Sequence, residues 1–405
     1  MRIALATEGT RGDVFPLLAL AERLRRRGHE AVLCASPDFE SAAIERGVAF
    51  RAIGQSVHGI MQRYSSEVSQ GGIRLLGAIR ELLGVMIARQ FEQLPEATRG
   101  ADLLIGAGVQ VAAPSAAELH GVPYRYVAYC PALIPSNEHP PLFLPTLRAP
   151  RWINHTLWRA LGLVFNRGMR PAINRHRNTL GLTPVRDLFP HLLSERPVLA
   201  ADPELSSLPE NCALPVDQIP CLHPFEPDPL PAKLDAFLAA GPAPVYLGFG
   251  SMTDPDPAST TRILLEAVSR VGCRALISEG WSGLGCGALP EGVMRVGAVS
   301  HPALFRRVAV VVHHGGAGTT TTAARAGAPQ IVVPHLLDQH YWAHRVQLLG
   351  VASQPLRRTR LDAKHLAETL SATLENELLA ERASELGARL RDRAGADSTG
   401  AFLAR

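Results

Sequence analysis

Short runs of consecutive apolar residues alternate along the chain with longer stretches in which apolar residues recur every three to four positions. In the first half the short runs are residues 3–6, 31–35, 103–105 and 124–128, and the longer pattern covers residues 15–27. A strand of a parallel sheet is buried on both faces by helices, so it has no need of alternating polar positions. The alternation therefore predicts βαβ units and a parallel sheet in this half.

The same alternation returns after a stretch that is rich in proline and glycine. That stretch covers residues 223–243 and has the composition of a linker. A second open sheet is predicted after it, and 405 residues with 46% hydrophobic content are enough for two cores. The apolar runs of this second half are residues 245–249, 274–278, 294–296, 308–312 and 330–333.

We therefore predict an α/β protein with two Rossmann-like, doubly wound parallel-sheet domains that face a deep cleft. Folds of this kind bind ligands beyond the carboxyl ends of their strands. The predicted bounds are residues 1–222 for the N-terminal domain, 223–243 for the linker and 244–375 for the C-terminal domain. Residues 376–405 are expected to form a C-terminal helix that crosses back to the first domain.

Composition and charge exclude several classes of protein. The 41 basic and 37 acidic residues give a net charge of +4 that is spread along the chain, which argues against a nucleic-acid partner. The six cysteines form no CxxC pair, and no metal site is expected. No signal peptide precedes the first apolar run, and no apolar run reaches the roughly 18 residues of a membrane-spanning helix. A cytoplasmic protein with reduced thiols is predicted.

One strand-to-helix turn carries most of the candidate chemistry. Residues 311–334 read VVHHGGAGTTTTAARAGAPQIVVP, with histidines, glycines and threonines where a strand ends and a helix begins. Glycine lets a phosphate approach the backbone, and the N–H groups at a helix N-terminus attract an anion. The turn predicts a phosphate site, although the P-loop lysine is missing. Taken alone, the motif is equally compatible with a glycine-rich turn that binds nothing.

Four motifs together resemble the family 1 glycosyltransferases of the GT-B fold. The resemblance is close to the bacterial branch that modifies glycopeptides, macrolides and other natural products, and to sterol and rhamnolipid glycosyltransferases. It implies an acceptor-binding N-terminal domain and a nucleotide-sugar-binding C-terminal domain. The motifs are GTRGDVFPLLALAERLRRRGHE at 9–30, PVYLGFGSM at 244–252, RVGAVSHPALF at 295–305 and HHGGAGTTTTAARAGAPQIVVPHLLDQHYWAHRV at 313–346.

The resemblance assigns the donor to the second domain. It implies that His313 and the glycine turn hold the diphosphate, and that Asp338 and Gln339 bind the hydroxyls of the sugar. His340 and Tyr341 follow where relatives commonly have proline and phenylalanine, which leaves open which hydroxyls are bound. The donor-binding residues implied are Ser251, Trp281, Val299, His313, Gly315, Gly316, Ala317, Gly318, Thr319, Asp338 and Gln339.

The resemblance assigns the acceptor and the catalytic base to the first domain. Asp13, in GTRGD, stands where this branch places the aspartate that takes the acceptor proton. Position alone also allows Asp13 to be the N-cap of a helix that begins near Val14. A carboxylate is an adequate base because the hydroxyl proton leaves late in the displacement. The acceptor-binding residues we expect are Thr10, Arg11, His58, Met61 and His139.

The implied reaction is inverting, metal-independent transfer of a hexose or deoxyhexose from a UDP or dTDP sugar to a hydroxyl of a hydrophobic polyketide, macrolide, glycopeptide or aromatic compound. No cofactor is expected beyond the nucleotide-sugar co-substrate. A nucleotide-sugar epimerase, which changes the donor without an acceptor, a sterol or lipid glycosyltransferase, and a non-catalytic nucleotide-sugar-binding protein remain alternatives. A monomer and a homodimer both fit.

A segment in the middle of the chain has the composition of a membrane-surface helix. Residues 151–170, RWINHTLWRALGLVFNRGMR, contain two tryptophans and four arginines. Helices that lie on membrane surfaces have this composition. An ordinary domain helix with exposed arginines is favoured over a membrane-surface helix.

Overall fold

The computed structural model describes residues 1–64, 72–142, 144, 149–222, 229–393 and 399–403, with side chains from residue 81 onward in the helix that begins at Gly72. The chain forms two compact units. The first consists of Met1–Pro203, Leu208–Pro224 and Asp397–Arg405, and the second of Glu204–Ser207 and Phe225–Ala396. Parts of the predicted linker (223–228) and of the predicted C-terminal helix (394–398 and 404–405) lie outside the described residues.

The first unit contains a parallel sheet with the strand order β3-β2-β1-β4-β5-β6-β7. Its central strands carry apolar side chains on both faces, as a sheet covered by helices requires. The strands are β1 Arg2–Glu8, β2 Glu30–Ala35, β3 Ala49–Ala52, β4 Leu103–Gly108, β5 Tyr124–Ala128, β6 Val198–Ala200 and β7 Asp217–Ile219. The helices are α1 Arg11–Arg26, α2 Glu40–Glu45, α3 Val57–Arg63, α4 Gly72–Ala97, α5 Ala113–His120, α6 Arg151–Thr179 and α7 Leu188–Leu193.

The second unit contains a parallel sheet with the strand order β10-β9-β8-β11-β12. The strands are β8 Val245–Gly248, β9 Ala275–Ser278, β10 Val293–Val296, β11 Val310–His313 and β12 Gln330–Val332. The helices are α8 Ala232–Ala239, α9 Pro257–Val271, α10 His301–Leu304, α11 Ala317–Ala326, α12 Gln339–Leu348, α13 Ala363–Leu374 and α14 Glu377–Arg393, and α15, Gly400–Leu403, groups with the first unit. The prediction of two doubly wound parallel sheets is confirmed.

Each sheet reverses its winding once. In the first sheet the strand order runs from β1 to β2 and β3 on one side, and to β4 and the later strands on the other. In the second sheet the same reversal falls between β8 and β11. The connections that leave the two strands at a reversal diverge, so a crevice opens beyond their carboxyl ends. These two crevices are where ligands are expected to bind.

Several elements differ from the sequence predictions. Helix α1 begins at Arg11 with Thr10 as its N-cap, so Asp13 lies inside the first turn and the predicted start near Val14 is wrong. Residues 232–239, which were predicted to be part of the linker, form helix α8. Leu234 and Leu238 of this helix are buried in the core of the second unit.

The C-terminal region also differs from its prediction. Helix α14 packs within the second unit, where Gly387 lies against Gly327 after α11. Only the last turn, α15, groups with the first unit, and its Phe402 is 2% exposed. The single crossing helix predicted over 376–405 is therefore two helices with different partners. No helix among the described residues is long and apolar enough to cross a membrane.

The close approach of α11 and α14 leads to a test of the packing. A Cβ at Gly387 would lie 2.8 Å from the Cα of Gly327 and 2.9 Å from the carbonyl oxygen of Ala324. We expect Gly387→Ala to lower the free energy of unfolding by about 1–3 kcal/mol, because the two backbones must move apart. Urea unfolding measures the change. Gly84→Ala on α4, where a Cβ meets nothing within 4 Å, is the control and should stabilise by about 0.5–1 kcal/mol. Equal stability of Gly387→Ala and wild type would contradict the packing.

Candidate active site

The first crevice is formed by the turn between β1 and α1. Thr10 and Asp13 form a capping box: the backbone N–H of Thr10 donates to Asp13 Oδ2 at 2.8 Å, and the Thr10 hydroxyl accepts from the N–H of Gly12 at 3.3 Å. A capping box satisfies N–H groups that the first helical turn leaves without partners. It fixes one carboxylate oxygen of Asp13 and leaves the other outside the box.

The free side of the Asp13 carboxylate faces the end of β4. Gly108, with a φ of +63°, has room for only a hydrogen there, since a Cβ would lie 3.2 Å from Asp13 Oδ1. Tyr126 donates to the Gly108 carbonyl at 2.9 Å, and Tyr129 donates to the Asp13 carbonyl at 3.1 Å. Burial raises the pKa of Asp13 to about 6, although the bonds from Thr10 oppose the rise. The group is therefore a carboxylate at neutral pH and a stronger base than an exposed aspartate.

A buried polar network next to Asp13 was missed by the sequence analysis. Gln90 on α4 donates to Glu8 Oε2 at 2.7 Å and to the Val109 carbonyl at 2.8 Å, and it accepts from the N–H groups of Val111 and Ala112. Burial raises the pKa of Glu8. The network holds the segment after β4 at the edge of the crevice. Nothing in the local sequence indicates that Gln90 and Glu8 meet, because they are 82 residues apart.

The other predicted acceptor residues are not all brought to this turn. Arg11 is exposed beside Asp13 and lies 5.6 Å from the centre of the Phe15 ring. His58 and Met61 are half-buried on α3. His139 packs edge-on against Trp158 of α6 at 5.8 Å, and burial lowers the pKa of its imidazole. His139 is thus tied to the helix packing of α6.

The second crevice lies where β11 leads into α11. His313, the last residue of β11, is held there by hydrogen bonds to both of its ring nitrogens. The side chain is 0% exposed. Its Nδ1 accepts from the N–H of Gly315 at 3.0 Å, and its Nε2 lies 2.9 Å from Gln330 Oε1. Since Nδ1 accepts, the proton is on Nε2 and donates to Gln330. Burial lowers the pKa of His313 to about 4, so the imidazole is neutral at pH 7.

The next residue, His314, has a different environment. Its ring lies between two glycines: a Cβ on Gly250 would be 2.9 Å from His314 Cε1, and one on Gly316 would be 2.6 Å from its Nε2. The side chain is 8% exposed, and Nδ1 has no hydrogen-bond partner among the described residues. Burial lowers the pKa of His314, and the neighbouring His313, His335 and His301 lower it further. The sequence motifs assigned a role to His313 and none to His314.

The helix N-terminus supplies backbone donors next to His314. Gly316 is the N-cap residue, and no side chain caps this end of the helix. The first backbone N–H that donates within the helix is that of Thr320, which bonds the Gly316 carbonyl at 2.9 Å. The amides of the first turn, Ala317, Gly318 and Thr319, are therefore open to a ligand. No acidic residue occurs between 311 and 334. This end of the helix has the charge and the donors of an anion site.

Three of the four threonines in this run are buried. Thr320, Thr321 and Thr322 are buried on the core side of α11, and the Thr322 hydroxyl donates to the Gly318 carbonyl at 2.7 Å. Only Thr319 is partly open. The run at 319–322 therefore offers one partly open hydroxyl, that of Thr319. A helix has a single face toward any ligand, and four consecutive positions cannot share it.

The remaining donor-side residues lie on the segments after β8, β9 and β10. Ser251 is 7% exposed in the turn after β8. The backbone N–H of Trp281 donates to the Gly250 carbonyl at 2.9 Å, and this bond joins the segments that follow β8 and β9. Val299 packs against the core under β10. Ser251 and Trp281 thus lie at the same crevice as His314, next to Gly250.

The LLDQ segment after β12 is organised by its glutamine. The Gln339 side chain accepts from the N–H groups of His335 and Leu336 at 2.8 and 3.1 Å and is 4% exposed. Its amide therefore holds the loop, in which Leu337 has a φ of +51°. Asp338 is half-buried at the start of α12. Of the predicted pair, Asp338 is the less buried residue.

Parallel α/β units with an open helix N-terminus at a winding reversal are typical of proteins that bind phosphorylated ligands. Two family models match this chain: the glycosyltransferase family 28 N-terminal domain over residues 3–132, and the erythromycin biosynthesis protein CIII-like C-terminal domain over residues 262–398. Their order follows the two units.

Curated relatives specify the family. Vancomycin aglycone glucosyltransferase of Amycolatopsis orientalis is 39% identical over 87% of this chain and 85% of its own. The dTDP-epi-vancosaminyltransferase of the same organism is 36% identical over 87% and 84%. A sterol 3-beta-glucosyltransferase of Arabidopsis thaliana is 30% identical over 93% of this chain and 64% of its own. The chain belongs to the family 1 glycosyltransferases of the natural-product type, as the sequence motifs predicted.

Solved structures share the fold. The glycosyltransferase VinC, in complex with dTDP, superposes with a TM-score of 0.68 at 20% identity, covering 97% of this chain and 96% of that one. The calicheamicin glycosyltransferase CalG4 gives 0.70 at 18% identity, covering 100% and 98%. The fold is that of the GT-B glycosyltransferases.

Proposed function

We propose that this glycosyltransferase moves a hexose or deoxyhexose from a UDP or dTDP sugar to a hydroxyl of a hydrophobic natural product, with inversion. The observation that carries the proposal is the chemistry at the two winding reversals. One holds a carboxylate with a raised pKa, and the other an open helix N-terminus without acidic residues. A base and a stabiliser of a leaving anion are the two groups that such a transfer needs.

On the donor side, we assign the leaving diphosphate to the amides of Ala317, Gly318 and Thr319. Negative charge grows on the diphosphate as the glycosidic bond breaks, and fixed N–H groups stabilise it without reorganising. His314, whose Nδ1 has no hydrogen-bond partner among the described residues and whose ring lies next to Gly316, is placed to add a charge-assisted hydrogen bond. His313, whose ring nitrogens are both bonded, acts through the Gly315 turn as a positioning residue.

On the acceptor side, Asp13 is proposed as the general base. The hydroxyl oxygen attacks the anomeric carbon, the bond to the diphosphate oxygen breaks, and the hydroxyl proton passes to Asp13. A single displacement of this kind inverts the anomeric centre. The capping box holds Asp13 Oδ2, which supports Oδ1 as the proton acceptor.

The same donor set supports a reaction without a metal ion. Backbone amides and a histidine neutralise the leaving group in this proposal, so we expect turnover to be unchanged by EDTA. Loss of turnover in chelator, with recovery on addition of Mg²⁺ or Mn²⁺, would contradict the proposal.

A product assay tests the function itself. The enzyme is incubated with panels of UDP and dTDP sugars and hydrophobic aglycones, and the products are analysed by mass spectrometry. Proton NMR of the new anomeric centre distinguishes inversion from retention. An epimerised donor in the absence of any acceptor would favour the epimerase alternative. Binding of the donor with no product from any acceptor class would favour a non-catalytic sensor.

The role of Asp13 is tested with Asp13→Asn. We expect kcat to fall by at least about 100-fold, since a positioned base contributes about 10²- to 10⁴-fold. Affinity for the nucleoside diphosphate should be unchanged, because Asp13 lies in the other unit. In the wild-type enzyme kcat/KM for the acceptor should rise with pH through about 6 and level off above it, because only the deprotonated carboxylate accepts a proton. Wild-type kcat in the variant would refute the assignment.

The role of His314 is tested by calorimetry of UDP and dTDP binding. A diphosphate beside the ring stabilises its protonated form, so binding at pH 7 should take up a proton, seen as a dependence of the measured heat on the buffer. His314→Gln should abolish the uptake and weaken binding at least about tenfold, since hydrogen bonds to charged groups contribute roughly 1.5–3 kcal/mol. His365→Gln, at an exposed histidine of α13, is the control. Proton uptake that survives in His314→Gln would remove this residue from the site.

A further inference from the structure

The most exposed apolar side chains of the described chain lie on one helix. Trp152, Leu163 and Val164 of α6 are 70%, 71% and 66% exposed. The opposite side of the same helix is buried, where Trp158 donates to the His139 carbonyl at 3.0 Å and Ile173 lies in the core. The orientation of α6 is therefore fixed by its packing. The exposed side chains are a permanent feature of its outer surface.

Two arginines lie in line with these apolar side chains. Residues 159 and 163 lie about two and three helical turns after residue 152, and residue 167 lies about one turn after residue 163. Trp152, Arg159, Leu163 and Arg167 therefore form one stripe, which we call the α6 stripe, with Val164 at its side. Alternation of cationic and large apolar side chains along one stripe differs from an ordinary solvated face, which is polar throughout.

The charge of the helix is of one sign. Residues 151–179 contain six arginines and no acidic residue. Arg151 and Arg177 pair with Glu138 and Glu118. Within the described part of the chain, Arg159 and Arg167 have neither an ion pair nor a hydrogen bond to another residue. The stripe therefore presents uncompensated positive charge together with exposed apolar surface.

We propose that the α6 stripe docks on an anionic lipid surface, with the helix lying in the plane of the interface. Tryptophan is favoured at the interface because its ring is apolar and its N–H is polar. Leu163 and Val164 reach the acyl boundary, while the arginines remain among the anionic headgroups. A second copy of this chain fits less well, because a two-fold contact along the stripe would bring arginines face to face.

Vesicle sedimentation with the full-length protein tests the docking. We expect the partition coefficient on vesicles of phosphatidylcholine with 30% phosphatidylglycerol to exceed that on pure phosphatidylcholine at least about 25-fold, and to fall as salt is raised. The double variant Arg159→Gln/Arg167→Gln should lower the partition coefficient on the anionic vesicles about 25-fold, because each basic residue near the surface contributes about fivefold. Arg357→Gln/Arg360→Gln, which removes the same charge from exposed positions of the second unit, should leave it within twofold.

Fluorescence of Trp152 provides an independent measurement. We expect a blue shift on anionic vesicles that is lost in Trp152→Phe, since the other tryptophans do not lie on the stripe. All substituted side chains are exposed, and circular dichroism checks that the variants are folded. Equal partition on both vesicle types would overturn the proposal, as would a concentration-dependent dimer abolished by Trp152→Ser. A raised KM for the acceptor in Leu163→Ser without any vesicle binding would assign the face to acceptor binding. The vesicle, fluorescence and dimer measurements do not depend on transferase activity.

Discussion

The divergence of chain connections at one strand pair in each sheet is the constraint on which the rest of the molecule depends. Between β1 and β4, and again between β8 and β11, neighbouring parallel strands send the chain to opposite sides. Backbone groups beyond these strand ends are left without sheet partners, and short side chains have to fill the space. Asp13 enters one opening beside Gly108, and His314 enters the other between Gly250 and Gly316.

Sequence periodicity predicted most of this framework because the central strands are buried on both faces and consist of nearly continuous apolar runs. β1, β2, β4, β5 and all five strands of the second sheet lie within a few residues of their predicted positions. Of the three strands that the pattern did not indicate, β3 and β7 are the edges of the first sheet, and β6 lies between β5 and β7. β3 is largely exposed, and β6 and β7 have three residues each. Strands of that kind are defined by their pairing partners and leave little pattern in the sequence.

The candidate site could be located from its glycines, but the roles of its side chains could not be assigned from sequence. His313 and His314 are adjacent, and which of them is locked depends on Gln330, which starts the neighbouring strand. Gln339 similarly bonds the loop that precedes it, and Gln90 reaches Glu8 across 82 residues. In each case a buried amide from a distant segment satisfies groups that the local motif leaves unpaired. Family motifs identify the positions, and tertiary hydrogen bonds determine which atoms remain available.

The interleaving of the two units has a practical consequence. The chain passes between them at four points, since Glu204–Ser207 belongs to the second unit and Asp397–Arg405 returns to the first. Cutting at any single peptide bond would separate one unit from a segment that groups with it, so the two units cannot be obtained intact by simple truncation. Removing the last ten residues would uncover the apolar site of Phe402. Chimeric enzymes made by exchanging halves with a relative should therefore take the terminal turn from the parent that supplies the amino-terminal half.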